Sequence, residues 1–350
     1  MALLPEIVRR AVKVRLAERL PFAKRRMGPQ IPSGSLYFAD PLADLISNRN
    51  DNPERPIRRL GRNLYVSGGR AVIIRYAGPA DLRMLEQNGY ERVYLVVDDD
   101  FFALAENDGL PADYRRRLIA YRDGPLQQLL RHVTDVVAPS NIILRAYRRK
   151  RAIQLDPAQC HRAGALVHHN RAKPFDVVFA ATRSHLLDLN HIAEALAEFL
   201  QLRPEARLTT FLNGHAPRPL RSLPNAIHLP MMDWHRYRIF VAENRFHAAI
   251  APALDTAFNR ARSISRLHDH AAFGAAGLYT RQPPFAGIVA DGQSGMLLPN
   301  DPQAWRDGLL NLVANRGLAR SLASGGQVLS QTLGDMRRVR NFWLKELELV

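Results

Sequence analysis

Apolar positions change their spacing along this chain, and each change marks a different kind of element. Between residues 3 and 22, Leu4, Val8, Val12, Leu16 and Leu20 recur every four residues with Ile7 and Ala11 beside them, while Arg9, Arg10, Lys13, Arg15 and Arg19 fall between. That spacing places an apolar stripe on one face of a helix and cations on the other. From 27 to 62 the rhythm breaks: Pro, Gly and the cluster Asn48, Asn50, Asp51, Asn52, Pro53 predict loop and short irregular structure. From about residue 63, short β-branched runs alternate with helical stretches, the pattern of an α/β sheet. Runs at 72–74, 93–97 and 136–137 predict strands of a first sheet, with helices near 79–88 and 112–131. Runs at 177–179, 208–212, 226–229, 248–250 and 277–279 predict a second, with helices near 186–202, 234–244, 259–273 and 302–314. The Arg-, Lys- and His-rich segment 148–174 reads as an interdomain linker. The expected division is a basic N-terminal segment 1–62 belonging to the first lobe, a first domain at 63–160, a second at 161–330, and a C-terminal helix at 331–350 that returns to the first. Two such sheets facing one another would leave a cleft at the C-terminal ends of their strands, where ligands of open α/β sheets bind.

Composition narrows the setting. At 350 residues and 47% hydrophobic content, the chain has material for two cores of ordinary size. No apolar run approaches the ~20 residues of a membrane-spanning helix, and the charges inside the N-terminal stripe interrupt the apolar segment that a secretory signal needs, so export by that route is not expected. One cysteine, Cys160, makes no internal disulfide and suits a reducing compartment. The expected location is cytoplasmic, either free or peripheral at the inner face of the cell membrane. A formal charge of +16 points to an anionic partner. Much of it lies in a basic arm, where Arg9, Arg10, Lys13, Arg15, Arg19, Lys24, Arg25 and Arg26 face only Glu6 and Glu18. Residues 3–26 therefore suit an anionic membrane surface, an ordinary surface helix, or a targeting presequence. Nucleic acid is not expected, since aromatic residues are only 8% and no recognition motif interleaves them with the basic residues.

The stretch 251–300 carries the most specific pattern. It contains Phe258-Asn259-Arg260-Ala261-Arg262-Ser263, then Arg266, Asp269, Ala271-Ala272-Phe273-Gly274, and later Asp291-Gly292-Gln293-Ser294-Gly295-Met296-Leu297. This resembles the donor-site region of glycosyltransferase family 4 and its close relatives. There a Phe-Asn loop, a Lys-Ser pair and a further Lys precede an acidic residue, and Ala-Ala-x-Gly closes the helix. Ser184-His185-x-x-Asp188-Leu189, Trp234-x-x-Tyr237, 96–100 and 135–140 resemble other strand ends of that family, extending the likeness over about 70–330. It implies an α/β fold of the GT-B kind, with two Rossmann-like domains facing a central cleft and a nucleotide-sugar site in the second. It also implies a glycosyltransferase, acting with retention on a glycan or lipid-linked glycan in cell-surface polysaccharide synthesis, with a nucleotide-diphosphate sugar as donor and no cofactor or metal.

On this reading Arg183, Asn259, Arg262, Ser263, Arg266 and Asp269 bind the donor. A helix beginning near Ser263 would offer its N-terminal amides to a diphosphate, and Arg262 and Arg266, four apart, would share one face. Fixed guanidinium groups stabilise the charge that the leaving diphosphate gains. Asp269 takes the place of the family's ribose-binding Glu, whereas Ala261 stands where the family has a first Glu and arginines stand for lysines. His185, Asp98 and Asp100 are the candidate catalytic residues: His185 at the transferred sugar or its phosphate, the aspartates at the acceptor hydroxyl. Other readings stay open: a divalent-metal clamp or helix caps at 98–100, a structural role for His185, a tight turn at Asn213-Gly214-His215, and a loose cluster of Cys160, His161, His168 and His169 without zinc spacing. The rival functions are a catalytically inactive binding or assembly protein of the same fold and, less favoured, a basic nucleic-acid-binding protein.

Overall fold

In the computed structural model, the described residues are 30–48, 54–105, 110, 112–171 and 173–350. The N-terminal stripe and basic arm, with any membrane contact through residues 3–26, lie outside them. The chain forms two compact units. The N-terminal unit holds the described residues up to Cys160 together with Thr256–Ser263 and Leu333–Val350, and the C-terminal unit holds His161–Asp255 and Ile264–Thr332.

The N-terminal unit is built on a sheet of seven described strands in sequential order: β1 (Ile46–Asn48), β2 (Ile57–Arg59), β3 (Leu64–Ser67), β4 (Arg70–Ile74), β5 (Arg92–Val96), β6 (Asp135–Ala138) and β7 (Arg151–Gln154). β3 runs antiparallel to both neighbours, and β4 to β7 are parallel. Period-two alternation divides its apolar side chains between two cores. Leu64, Val66, Ala71, Ile73, Val93, Leu95, Val136 and Ala138 pack with Leu82, Leu85, Leu126 and Leu129 of the helices Pro79–Asn88 and Pro125–His132. Tyr65, Val72, Ile74, Tyr94, Val96 and Val137 turn the other way, onto Tyr37 and Phe38 and onto Val339 and Trp343 of the C-terminal helix Met336–Glu346. Trp343 is fully buried, donates from its indole to the Tyr37 carbonyl at 2.5 Å, and meets Phe38 and Tyr94 edge-on. Burying a ring of that size contributes roughly 2–3 kcal/mol. Arg151 grips Glu346 through two bonds of 2.8 and 3.0 Å, and Arg340 grips Asp44 the same way, fixing that helix at its polar rim.

Segment 27–62, expected to be irregular, contains a helical turn at Pro32–Gly34 running into a π-helical turn at Ser35–Ala39, and also β1 and β2. Its Leu36, Tyr37, Phe38 and Leu42 supply core; the turn residues around them concealed so short an apolar run. The segment expected to be linker likewise contains β7 and buried His168 and His169.

The C-terminal unit has a parallel sheet of six described strands: β8 (Phe175–Phe179), β9 (Ala206–Thr210), β10 (Ala226–His228), β11 (Ala248–Ala251), β12 (Ala276–Thr280) and β13 (Met296–Leu298). Their order is β10-β9-β8-β11-β12-β13, the doubly wound arrangement. β8, β11 and β12 are buried throughout and read as unbroken apolar runs, as a sheet covered on both faces requires. One core joins Phe175, Val177, Phe179, Ile250 and Leu278 to the helices Ala193–Leu202 and Pro302–Ala314, and the other joins Val178 and Ala249 to Phe240, Phe246 and Phe273. The helix expected over 259–273 is two pieces, Ala257–Arg260 and Ser265–Ala272. No described helix is long and apolar enough to cross a membrane.

Candidate functional site

In the C-terminal unit the winding direction reverses between β8 and β11, so the loops following these two strands flank the switch point where a doubly wound sheet receives its ligand. After β8 the chain runs through Ala180 and Ala181 into a 3-10 turn, Arg183–His185, and the helix Leu186–His191. Arg183 is exposed and His185 is buried. The His185 ring meets Asp188 Oδ2 through Nδ1 at 2.7 Å, and Asp188 Oδ1 accepts the Leu254 amide at 2.9 Å, joining the β8 loop to the β11 loop. Helix Ser265–Ala272 brings Arg266 and Asp269, three apart, toward the same strand end. The Arg266 guanidinium lies 5.8 Å from the centre of the Phe179 ring and reaches the Ala180 carbonyl at 3.4 Å. Asp269 accepts a 2.9 Å bond from the Tyr237 hydroxyl, and Tyr237 is held between a stacked Trp234 and an edge-on Phe211. Burial pushes the Asp269 carboxyl up to about 6, against the pull of Tyr237 and Arg266 toward the ionised form. The arrangement offers a guanidinium, the amides of a helix start and a carboxylate with retained proton affinity, a set suited to a phosphate ester beside hydroxyl groups.

The N-terminal unit gathers a second polar group at the ends of its parallel strands. Arg75 follows β4 with φ 65°, a left-handed backbone that a non-glycine residue holds only when its surroundings impose it. Here the Tyr121 hydroxyl donates to the Arg75 carbonyl at 3.0 Å. The Arg75 guanidinium contacts Asp99 and, at 3.4 Å, Asp98. Asp98 also accepts from Ser33 Oγ at 2.7 Å, and Asp99 pairs with Arg262 at 3.3 Å. Burial raises the Asp98 carboxyl against the opposing pull of Arg75. Asp100 Oδ1 accepts the amides of Phe102 and Ala103, both at 3.0 Å, and so caps the helix Phe101–Ala105.

No protein-family model matches the chain, and no curated protein matches it. Solved structures do. Sucrose-phosphate synthase from Thermosynechococcus elongatus superposes over 87% of this chain and 88% of its own, with a TM-score of 0.53 and 12% identity. Anabaena HepE in complex with UDP-glucose gives 0.54 at 12% identity over 80% and 79%. S. aureus TarM in complex with fondaparinux, alpha-GlcNAc-glycerol and UDP gives 0.56 at 10% identity over 79% of this chain and 55% of TarM. The chain has the GT-B fold.

Within this GT-B chain the expected donor residues divide between the units. Arg183, Arg266, Asp269 and the candidate His185 belong to the C-terminal unit, while Asn259, Arg262 and Ser263 belong with Asp98 and Asp100 to the N-terminal one. The expectation that Arg262 and Arg266 share a helical face is therefore corrected. Arg262 precedes the helix, which starts at Ser265 rather than Ser263, and it is ion-paired to Asp99 over the Phe258 ring. The break arises because Phe258 and Ala261 pack into the helix-side core of the N-terminal unit, and Ser140 Oγ binds the Ala261 carbonyl at 2.8 Å. Asp100 caps the helix Phe101–Ala105 through Oδ1, one of the alternatives open at that triplet. Among the described residues no group of three His, Cys, Asp or Glu is set to hold a metal ion. Sequence reasoning assigned no role to Asp188 or Arg75. The three-residue offset of Asp188 from His185 on one helical turn was a usable signal; the Arg75 ion pairs join residues more than twenty positions apart and left none.

Proposed function

We propose that the chain is a glycosyltransferase that uses a nucleotide-diphosphate sugar, bound by its C-terminal unit, to glycosylate a hydroxyl of a glycan or lipid-linked glycan. The observation that carries this reading is the Arg266–Asp269 pair on one helix, beside the end of β8 at the sheet's switch point. Arg266 and the exposed Arg183 meet the diphosphate, and stabilise it most as it departs with its full charge. Asp269, already an acceptor for Tyr237, takes hydrogen bonds from ribose hydroxyls. His185 contacts the transferred sugar, and Asp98, held by Ser33 and Arg75, serves the acceptor hydroxyl in the N-terminal unit. The HepE structure holding UDP-glucose supports the choice of donor class. Retention, cell-surface polysaccharide as the product and a cytoplasmic site of action follow from the resemblance of 251–300 to family 4 and from the single cysteine. Residues 3–26 would carry the protein to an anionic membrane surface bearing the acceptor.

Thermal shift against UDP-, GDP- and ADP-sugars tests the reading, because a ligand present at a hundred times its dissociation constant stabilises by about 2.7 kcal/mol. One nucleotide series should raise the melting temperature of the wild type, and Arg266→Ala should lose the rise while keeping its fold. No response to any nucleotide sugar rejects the donor assignment.

A second reading has one observation in its favour. Ala261, where the family carries its first carboxylate, is buried in the N-terminal unit, leaving that charge without a substitute at the same position. A GT-B protein that binds the donor without transferring the sugar would show the thermal shift but neither hydrolysis nor transfer.

A further inference from the structure

Asp188 is buried, 4% exposed, and spends its two oxygens on two different elements. Oδ1 accepts the Leu254 amide at 2.9 Å and Oδ2 meets His185 Nδ1 at 2.7 Å. An ionised carboxylate only accepts hydrogen bonds, and a backbone amide only donates. With Asp188 ionised, the proton between it and the ring sits on His185 Nδ1, and in the uncharged ring Nε2 carries the lone pair. We propose that Asp188 is a positioning residue: it fixes His185 in the Nδ1–H tautomer and anchors the β11 loop with the same carboxylate, so that Nε2 accepts a hydrogen bond from a hydroxyl of the donor's sugar.

The loop that Asp188 holds is gripped from its other side too. The Ala253 amide donates to Thr280 Oγ1 at 2.8 Å, and Gln282 Nε2 donates to the carbonyls of Ala253 and Leu254 at 3.2 and 3.1 Å. All four main-chain polar groups of this dipeptide are thus bound by Asp188 or by residues at the end of β12. β8, β11 and β12 are adjacent in the sheet, so the three strand ends form one hydrogen-bonded piece with the His185 ring attached. A side chain locked by its neighbours holds a ligand contact to within a few tenths of an ångström, the tolerance that orienting a sugar hydroxyl requires. The inference rests on the donor reading of this unit and adds to it a specific contact and the residue that sets it.

Asp188→Asn tests the idea at the level of one proton. An asparagine has one acceptor oxygen and one donor nitrogen. With Oδ1 kept by the Leu254 amide, Nδ2–H faces His185 Nδ1, which must become an acceptor, and the ring proton moves to Nε2. Two-bond ¹H–¹⁵N spectra of histidine-labelled, ligand-free protein at pH 8, assigned with His185→Gln, read the tautomer directly. Expected are Nδ1–H in the wild type and Nε2–H in Asp188→Asn. In calorimetric titrations with the best-binding of UDP-, GDP- and ADP-glucose and its parent diphosphate, the variant should bind the sugar nucleotide about tenfold more weakly and the diphosphate within about twofold of wild type. Gln282→Ala loosens the same loop without touching His185; it should leave the tautomer unchanged and weaken both ligands alike. An Nε2–H ring in the wild type, or an unchanged ring in Asp188→Asn, overturns the proposal with no ligand needed. Equal weakening of both ligands in Asp188→Asn reduces Asp188 to a loop anchor and also overturns it. If the wild type binds no sugar nucleotide, the donor reading fails and takes the sugar contact with it, while the ligand-free spectra still judge whether Asp188 sets the ring.

Discussion

Replacing Asp269 by Asn removes a charge and almost nothing else. The amide has the shape of the carboxyl, and its oxygen can still accept from Tyr237. Burial holds the Asp269 carboxyl at about 6 in the folded protein, against 3.8 for an unburied side chain. A raised carboxyl means that the folded state binds the proton more tightly than the unfolded state does. Its ionisation therefore costs nothing below 3.8, costs progressively more as pH rises from 3.8 through 6, and reaches a plateau above 7. The plateau is about 3 kcal/mol, with roughly half of it present at pH 5 and only a small part at pH 4. At roughly 2–4 °C per kcal/mol for a unit of this size, Asp269→Asn should melt about 6–12 °C above wild type at pH 8 and within about 2 °C of it at pH 4. Scanning calorimetry across that range on both proteins gives the difference curve. A difference that does not vary with pH refutes the buried, proton-retaining carboxyl.

The same curve bears on function. Ribose hydroxyls donating to Asp269 favour its ionised form and the diphosphate charges oppose it; with the direct hydrogen bonds dominant, a bound nucleotide sugar lowers the carboxyl's proton affinity and binding releases a proton near and below about pH 6. A nucleotide sugar suits the measurement because its diphosphate ester groups do not titrate between pH 4 and 8. Affinity for it should rise with pH up to about 6 and level off above 7 in the wild type, with that rise absent in Asp269→Asn. A wild-type affinity independent of pH would separate Asp269 from the ribose even if its effect on stability is as described.

Two further outcomes follow from packing and burial. A methyl added at Gly277 would overlap the Tyr279 ring, which is fully buried against His270 and Phe285 and cannot withdraw, so Gly277→Ala should cost about 3 kcal/mol in chemical denaturation; a neutral result would mean that the ring is mobile. His168, His169 and His247 pack ring against ring at 4.2–5.3 Å, with burial holding His169 near 4 and His247 near 3; since the unfolded chain takes up protons below the ordinary 6.5, stability should fall as pH drops from about 6.5 toward 4, and His247→Gln should flatten that fall.

What the sequence revealed depended on how local each cause was. β8, β11 and β12 are buried on both faces, and such strands show as apolar runs whatever surrounds them. β1, β2, β7 and β13 are short, and their identity comes from pairing with a neighbour: β7 is largely exposed, carries Arg151 and Gln154, and is a strand only because β6 lies beside it. That Arg266 and Asp269 stand on one helix was legible, because the helical spacing predicted near 259–273 is a local property of that stretch. The raised proton affinity of Asp269 was not, because that depends on burial created by tertiary packing.

The seam between Ser263 and Ile264 shows why a contiguous motif is a poor guide to a contiguous site. On one side, Phe258 and Ala261 are drawn into the N-terminal core and take Arg262 with them; on the other, Leu267 and Ala271, four apart, bury the inner face of the next helix and leave Arg266 at the strand end. Charge follows the packing. Arg262 and Arg75 together meet Asp98 and Asp99, two cations against two carboxylates, so this group brings no net charge to an anion. In the proposed reading, a diphosphate in the C-terminal unit is left to Arg266, Arg183 and the amides of the helix start. Because Asp269 on that same helix is about as basic as a weak buffer, its charge state decides how much of the Arg266 field the ligand feels. If the donor reading holds, Asp269 is the residue at which ribose recognition and phosphate recognition are coupled: losing its proton weakens the local positive potential by one charge and supplies the acceptor that the ribose requires.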